Sequence, residues 1–191
     1  MTAPPQRALI LVTGPASSGK SEWAEHLAAQ SGLPVCYVAT AEADPNDPEW
    51  QAKLARHRQR RPPHWQTVWA PRELAAVLAA PNPECCWLVD SLGTWVANTL
   101  AWDEPTWAQA VQDLVTNLGQ GSGPVIVVAE ETGWGVVPAY PLGRQFRDRL
   151  GRLTRQVGAI AQAVYLVTGG YALDLVQLGQ PLPPAANSQL I

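Results

Sequence analysis

The residues Gly14-Pro15-Ala16-Ser17-Ser18-Gly19-Lys20-Ser21 satisfy the pattern G-x-x-x-x-G-K-[ST] at every fixed position. Glycines at the turn let successive backbone N–H groups point inward, and a helix N-terminus just after the loop adds partial positive charge, which together make an anion cradle. Lys20 is placed to reach the terminal phosphates of a nucleoside triphosphate, and the Ser21 hydroxyl to ligate Mg2+. The plain alternative is a chance glycine turn. The context argues against it. Ala8-Leu9-Ile10-Leu11-Val12 leads in like a buried strand, and Ala24, Leu27, Ala28 and Ser31 follow at helical spacing.

Phosphoryl transfer needs a second anchor for the metal, an acid at the end of a neighbouring buried strand. Asp90 ends the run Cys85-Cys86-Trp87-Leu88-Val89 and would sit at the C-terminal edge of a sheet. Its plain alternative is the N-cap of a helix beginning at Ser91-Leu92. A second strand end carries Glu130-Glu131. Glu131 would orient Mg2+ or water, or would cap the following loop, and both readings stand.

The stretch from Lys53 to Trp65 holds five of the chain's thirteen lysines and arginines and two of its three histidines. On a helix starting near Glu49, Trp50, Leu54, His57 and Arg61 lie close to one face. Three chemistries fit: a solvated cationic face, a nucleic-acid patch, or a nucleophilic histidine. In the third, neighbouring guanidiniums push His57 towards its neutral form and hold the phosphates that it attacks. Composition alone favours the solvated face. His26 and His64 lack comparable surroundings and read as surface residues.

The elements that must position these groups are visible as five apolar runs, Ala8–Val12, Val35–Ala39, Cys85–Val89, Val125–Ala129 and Val164–Val167. Their continuous hydrophobicity predicts strands buried on both faces, hence a mostly parallel sheet. Helices are predicted over 21–31, from Pro48 with Asp47 as its cap, over 72–80, over 105–118 and over 141–162. In the last, Phe146, Leu150, Leu153, Val157 and Ile160 form one stripe. Tyr171 to Leu178 is expected to add an edge strand. The reading is a single α/β domain of the P-loop NTPase, RecA-like type, spanning 1–179, followed by a loose tail over 180–191.

Composition bounds the function further. Charged residues make up 15% and apolar residues 47%, with a net charge of −3, so a general nucleic-acid-coating field is excluded. No apolar stretch approaches the roughly 20 residues that span a bilayer, and residues 1–7 lack signal-peptide anatomy. Three cysteines, an odd number, read as core residues of a cytoplasmic protein. Nine tryptophans read as core and interface packing. The two lysines, Lys20 and Lys53, leave no Asn-Lys-x-Asp motif, so a regulatory GTPase switch is excluded.

The ordered set of motifs resembles the bifunctional adenosylcobinamide kinase / adenosylcobinamide-phosphate guanylyltransferases of cobalamin biosynthesis. The motifs are Thr13-Gly14 to Lys20-Ser21, Tyr37-Val38-Ala39-Thr40-Ala41, and Glu49 leading to His57-Arg58-x-x-Arg61-Pro62-x-x-Trp65. They continue with Leu88-Val89-Asp90-Ser91-Leu92, Glu131-Thr132-Gly133-x-Gly135-x-Val137-Pro138 and Phe146-Arg147-Asp148-x-x-Gly151. The likeness runs from about Leu9 to Leu178.

The resemblance implies two reactions at one nucleotide site. A γ-phosphate passes to the aminopropanol hydroxyl of adenosylcobinamide; then a histidine takes GMP from GTP and gives it to the cobinamide phosphate. It implies His57 as nucleophile, with Lys20 catalytic. It places nucleotide contacts on Gly14, Pro15, Ala16, Ser17, Ser18, Gly19, Lys20, Ser21, Ala39, Thr40, Ala41, Arg58, Gln59, Arg60, Arg61 and Asp90. Mg2+ would be held by Ser21 and Asp90, with Glu131 a further candidate, and GTP and/or ATP would be the substrates. A homotrimer is also implied. The chain departs from the family pattern at Pro15 and Ser17, where glycine and arginine are usual, at Trp69 for glutamate and at Thr154 for asparagine. Two other readings remain: a P-loop kinase for another small alcohol, and a nucleotide-dependent regulatory binding protein.

Overall fold

Apolar runs become parallel strands because both faces of each are covered. The computed structural model describes residues 8–42, 44, 46–79, 83–120 and 123–183. Strands β1 (Leu9–Gly14), β2 (Val35–Ala39), β3 (Gln66–Trp69), β4 (Cys86–Asp90), β5 (Val125–Glu130), β6 (Ala163–Thr168) and β7 (Tyr171–Asp174) form one seven-stranded sheet. Its order is β3-β2-β4-β5-β1-β6-β7, parallel except for the final hairpin of β6 with β7. The helices are α1 (Lys20–Gln30), α2 (Pro48–Arg60), α3 (Leu74–Ala79), α4 (Leu92–Asn98), α5 (Glu104–Gln120), α6 (Pro141–Ile160) and α7 (Leu175–Leu178).

Alternation along each strand divides the core in two. Leu9, Leu11, Cys36, Val38, Trp87, Val89, Val127 and Ala129 face one layer with buried residues of α3, α4, α5 and α6. Val12, Val35, Tyr37, Cys86, Leu88, Ile126 and Val128 face the other, where Ala24 and Ala28 of α1 pack. Trp95 anchors the larger layer, its ring 5.3 Å from Trp107 and 6.4 Å from Trp102. Tryptophan therefore does serve core packing here, although Trp69 and Trp134 are exposed. All three cysteines are buried and form no disulfide, as expected.

Three elements differ from the sequence expectation. Strand β3 carries no apolar run, because it is a half-exposed edge paired on one side with β2. Helix α4 begins directly after β4, and its cap is Ser91, which forms a capping box with Thr94. Asp90 is thus released from capping. The segment 171–178 is an edge strand only to Asp174, whose side chain then caps α7 through the N–H groups of Val176 and Gln177. Of the expected loose tail, only residues 180–183 are described; 1–7 and 184–191 lie outside the described residues.

Candidate functional site

The phosphate loop folds as its composition requires. Gly19, at φ 92°, takes the left-handed conformation that precedes α1, and Ser17 also has positive φ at 58°. Gly14 is obligatory for a different reason: a Cβ there would sit 2.3 Å from the Val167 carbonyl oxygen. Lys20 is buried at the start of α1, and its Nζ donates to the Pro15 carbonyl at 3.2 Å, curling over the loop. The Ser18 hydroxyl is buried with no hydrogen-bond partner in the protein. An unmatched donor in a loop of inward backbone N–H groups is what an anion would satisfy.

Asp90 stands at the end of β4 in the middle of the sheet. One carboxylate oxygen, Oδ1, accepts from the Ser21 hydroxyl at 3.4 Å, and the other, Oδ2, accepts from the Tyr37 hydroxyl at 2.7 Å. The same Oδ2 lies 3.6 Å from His57 Nδ1. Burial alone would raise the Asp90 pKa, but the adjacent His57 imidazole and hydrogen bonds from Tyr37 and Ser21 outweigh it and hold the carboxyl below its ordinary range. Burial, followed by the neighbouring Asp90 charge, raises the Tyr37 phenol, which stays protonated and donates.

Helix α2 lies across this edge. Asp47 caps it by accepting from the Trp50 N–H, and Pro48 opens its first turn. Trp50, Leu54, His57 and Arg61 share one face, as their spacing predicted, and all line the cavity. Two arginines fasten the far end. Arg60 forks onto both oxygens of Glu25 at 2.7 and 2.8 Å and reaches Glu22 at 2.8 Å, tying α2 to α1. Arg61 lays its guanidinium 3.8 Å from the centre of the Tyr37 ring and donates to the His57 carbonyl and the Thr67 hydroxyl.

The resulting cavity, about 570 Å³, suits a nucleotide-sized ligand. Of the residues singled out in sequence, Ala16, Ser17, Ser18, Gly19, Lys20, Ser21, Ala39, Ala41, His57, Arg60, Arg61 and Asp90 line it. Gly14, Pro15, Thr40, Arg58, Gln59 and Glu131 do not. Thr40 is fully buried and bonds the Ser91 backbone, which fixes the β2–β4 edge. Arg58 and Gln59 are exposed on the outer face of α2, and Arg56 lines the cavity in their stead. Glu131 accepts from the Thr13 hydroxyl at 2.8 Å while its N–H donates to the Gly14 carbonyl. It therefore braces the loop from behind. His26 and His64 are exposed, as expected, His26 stacking on Trp23.

Sequence reasoning missed Tyr37 and Glu130. Glu130 faces the cavity and accepts from the Ser91 hydroxyl at 2.7 Å and the Gly93 N–H at 3.0 Å. Burial raises its pKa, and Ser91 and Lys20 only partly offset that. A usable signal existed. Counting by twos along the strands puts Tyr37, Asp90 and Glu130 on the same sheet face as α1, whereas Glu131 falls on the other. Glu25, His57 and Asp90 also bring one ligand atom each within 4.8 Å of one another. Any cation there would engage the imidazole and compete with Arg60 for Glu25.

Comparison with known proteins decides the family. The model for cobinamide kinase / cobinamide phosphate guanyltransferase matches residues 10–175. The chain belongs to this family.

Curated relatives include the bifunctional adenosylcobalamin biosynthesis protein CobP of Pseudomonas aeruginosa, 41% identical over 90% of this chain and 98% of that protein. CobU of Escherichia coli K12 is 36% identical over 87% of this chain and 99% of its own length. Solved structures add the fold alone. A Pyrococcus horikoshii OT3 protein superposes with a TM-score of 0.54 at 7% identity, covering 95% of this chain and 94% of that one. A type III secretion ATPase gives 0.51 at 11% identity, covering 90% of this chain and 53% of its own. The mostly parallel sheet flanked by helices agrees with both. Of the positions where this member of the cobinamide kinase / cobinamide phosphate guanyltransferase family departs from the pattern it resembles, Ser17 lines the cavity, whereas Pro15, Trp69 and Thr154 do not. Pro15 supplies the carbonyl that Lys20 meets, and exposed Trp69 donates its Nε1–H to the Ala41 carbonyl at 3.1 Å. The Thr154 hydroxyl is buried on α6 without a partner.

Proposed function

We propose that this chain phosphorylates adenosylcobinamide and then transfers GMP from GTP to the phosphate it has made, through a phosphoramidate on His57. The observation that carries the reading is that one cavity is lined by both the phosphate loop and His57, whose Nδ1 stands 3.6 Å from Asp90 Oδ2.

In the first reaction the acceptor hydroxyl attacks the γ-phosphorus of GTP or ATP, and the bond to the bridging oxygen of the nucleoside diphosphate breaks. Lys20 and the inward N–H groups stabilise the charge that moves onto that oxygen. In the second, a nitrogen of His57 attacks the α-phosphorus of GTP and pyrophosphate leaves with the bonding pair. The cobinamide phosphate oxygen then attacks the same phosphorus and returns the imidazole. Arg56 and Arg61 supply positive charge along the path; Arg60 does so only while also holding Glu22 and Glu25.

Mg2+ fits the donors present. The Ser21 hydroxyl and Asp90 Oδ1 are hard oxygen ligands 3.4 Å apart at the loop, and waters and phosphate oxygens complete such a shell. When bound, the ion neutralises phosphate charge and so helps either displacement. Glu131 is directed at Thr13, so its contribution is to hold the loop strand.

The assembly is proposed as a homotrimer on the family resemblance, to be checked by sedimentation. A cytoplasmic setting agrees with three cysteines outside any disulfide, and among the described residues no helix is long and apolar enough to cross a membrane.

Incubation with α-labelled GTP, followed by denaturation, tests the reading. Label that stays on the protein, lost in acid and kept in base, is expected. Absence of label alongside retained kinase activity would favour a P-loop kinase for a small alcohol. Absence of any turnover would favour a regulatory nucleotide-binding protein.

A further inference from the structure

A nucleophilic imidazole attacks through one nitrogen only, and which nitrogen holds the lone pair is set by what the other one meets. Here His57 Nδ1 faces Asp90 Oδ2 at 3.6 Å. That oxygen is not free to turn, because the buried Tyr37 hydroxyl donates to it at 2.7 Å while Ser21 donates to its sibling Oδ1. Tyr37 is itself fixed. Its ring belongs to the buried α1-side core and is covered by the Arg61 guanidinium at 3.8 Å, and Arg61 donates to the His57 carbonyl at 3.1 Å. A closed circuit therefore runs from His57 through Asp90 and Tyr37 to Arg61 and back to the His57 backbone.

We propose that Tyr37 is a positioning residue for guanylyl transfer: its hydroxyl orients Asp90 so that Oδ2 receives the Nδ1–H of His57, leaving Nε2 as the attacking atom. This rests on the reading of His57 as the nucleophile. In the step, the Nε2 lone pair forms the N–P bond as the bond from the α-phosphorus to the pyrophosphate oxygen breaks. The Nδ1 proton stays in place, and the positive charge spread over the ring is met by the Asp90 carboxylate. The two oxygens of Asp90 divide the labour, Oδ1 towards Ser21 and the phosphate loop, Oδ2 towards the imidazole. Tyr37 acts on the second.

The variant Tyr37→Phe keeps the ring beneath Arg61 and removes only the hydroxyl. Three quantities are read on the intact protein: single-turnover formation of protein-bound GMP at saturating GTP, GTP affinity, and kinase turnover. The expected result is a guanylylation rate reduced about tenfold relative to kinase turnover, with GTP affinity changed less than about threefold. A 15N spectrum of the histidines should show the His57 ring moving from a predominantly Nδ1–H tautomer towards a mixture, which a purely structural role would not produce. An unchanged ratio of the two activities, or an unchanged tautomer signature, overturns the proposal. So does an equal loss of both activities together with a lowered melting temperature. His57→Ala serves as the control on the underlying reading: if it still carries GMP after denaturation, the nucleophile is elsewhere and that reading fails. If it carries none while Tyr37→Phe is labelled at the wild-type rate, only the positioning role is lost.

Discussion

The two halves of the cavity are built in opposite ways. The β1–α1 side is local: eight consecutive residues, Gly14 to Ser21, carry the turn, the Lys20 cation and the Ser21 hydroxyl, and their geometry follows from backbone conformation. The α2 side is assembled from distance. His57 faces Asp90 on β4 and is linked through Arg61 to Tyr37 on β2, while Arg60 ties the helix to Glu22 and Glu25 on α1. On the proposed reading a local motif fixes what is bound, and a distributed set of contacts fixes what is done to it. The two sides should therefore respond differently to substitution.

The largest effect is expected at His57→Ala, which should abolish protein-bound GMP and leave GTP binding largely intact, measured by label retention and by equilibrium titration. Loss of binding as well would mean that the α2 side also holds the ligand. Lys20→Ala should lower both activities by about 100-fold or more, because it removes a contact to the triphosphate common to both. A selective loss of one activity would break the division between binding and reacting sides.

Arg60→Gln should cost guanylylation about tenfold while reducing the kinase less, since it frees α2 from α1 and lets the imidazole wander by a fraction of an ångström or more. Parallel rate measurements on the two reactions check this. Equal losses would put Arg60 on the shared phosphates instead.

The smallest effect is on stability at Glu130. Burial raises its pKa, so the folded state holds the proton more firmly than the unfolded chain does. That contribution is fully present below the ordinary carboxylate range and is lost as pH rises through the raised folded value. Glu130→Gln should match wild type in melting temperature near pH 4 and exceed it near pH 8 (about two ends of the accessible range). Parallel melting curves at both ends would contradict the assignment.

The same contrast explains what the sequence reveals. The phosphate loop, β1, β2 and the start of α2 at Pro48 are legible because their determinants are neighbours in the chain. The face shared by Trp50, Leu54, His57 and Arg61 follows from helical spacing. Tyr37 was hidden because an aromatic residue inside an apolar strand reads as core, and its ring is indeed core; only the hydroxyl reaches the site. Glu130 was passed over for Glu131 because adjacency conceals which of two neighbours on a pleated strand points inward. Arg60 read as a phosphate ligand since its carboxylate partners lie 35 and 38 residues away. Edge strand β3 escaped notice because one-sided pairing leaves it polar.

The central claim is that one imidazole, on the distributed side, carries the nucleotide between donor and acceptor. The direct measurement is a pulse and chase: the protein is labelled with α-labelled GTP, freed of excess nucleotide, digested and mapped, while a parallel sample receives cobinamide phosphate. The account predicts label on the peptide containing His57 and its release as a cobinamide–GDP product. Label on any other residue, or label on His57 that cobinamide phosphate does not remove, would contradict it.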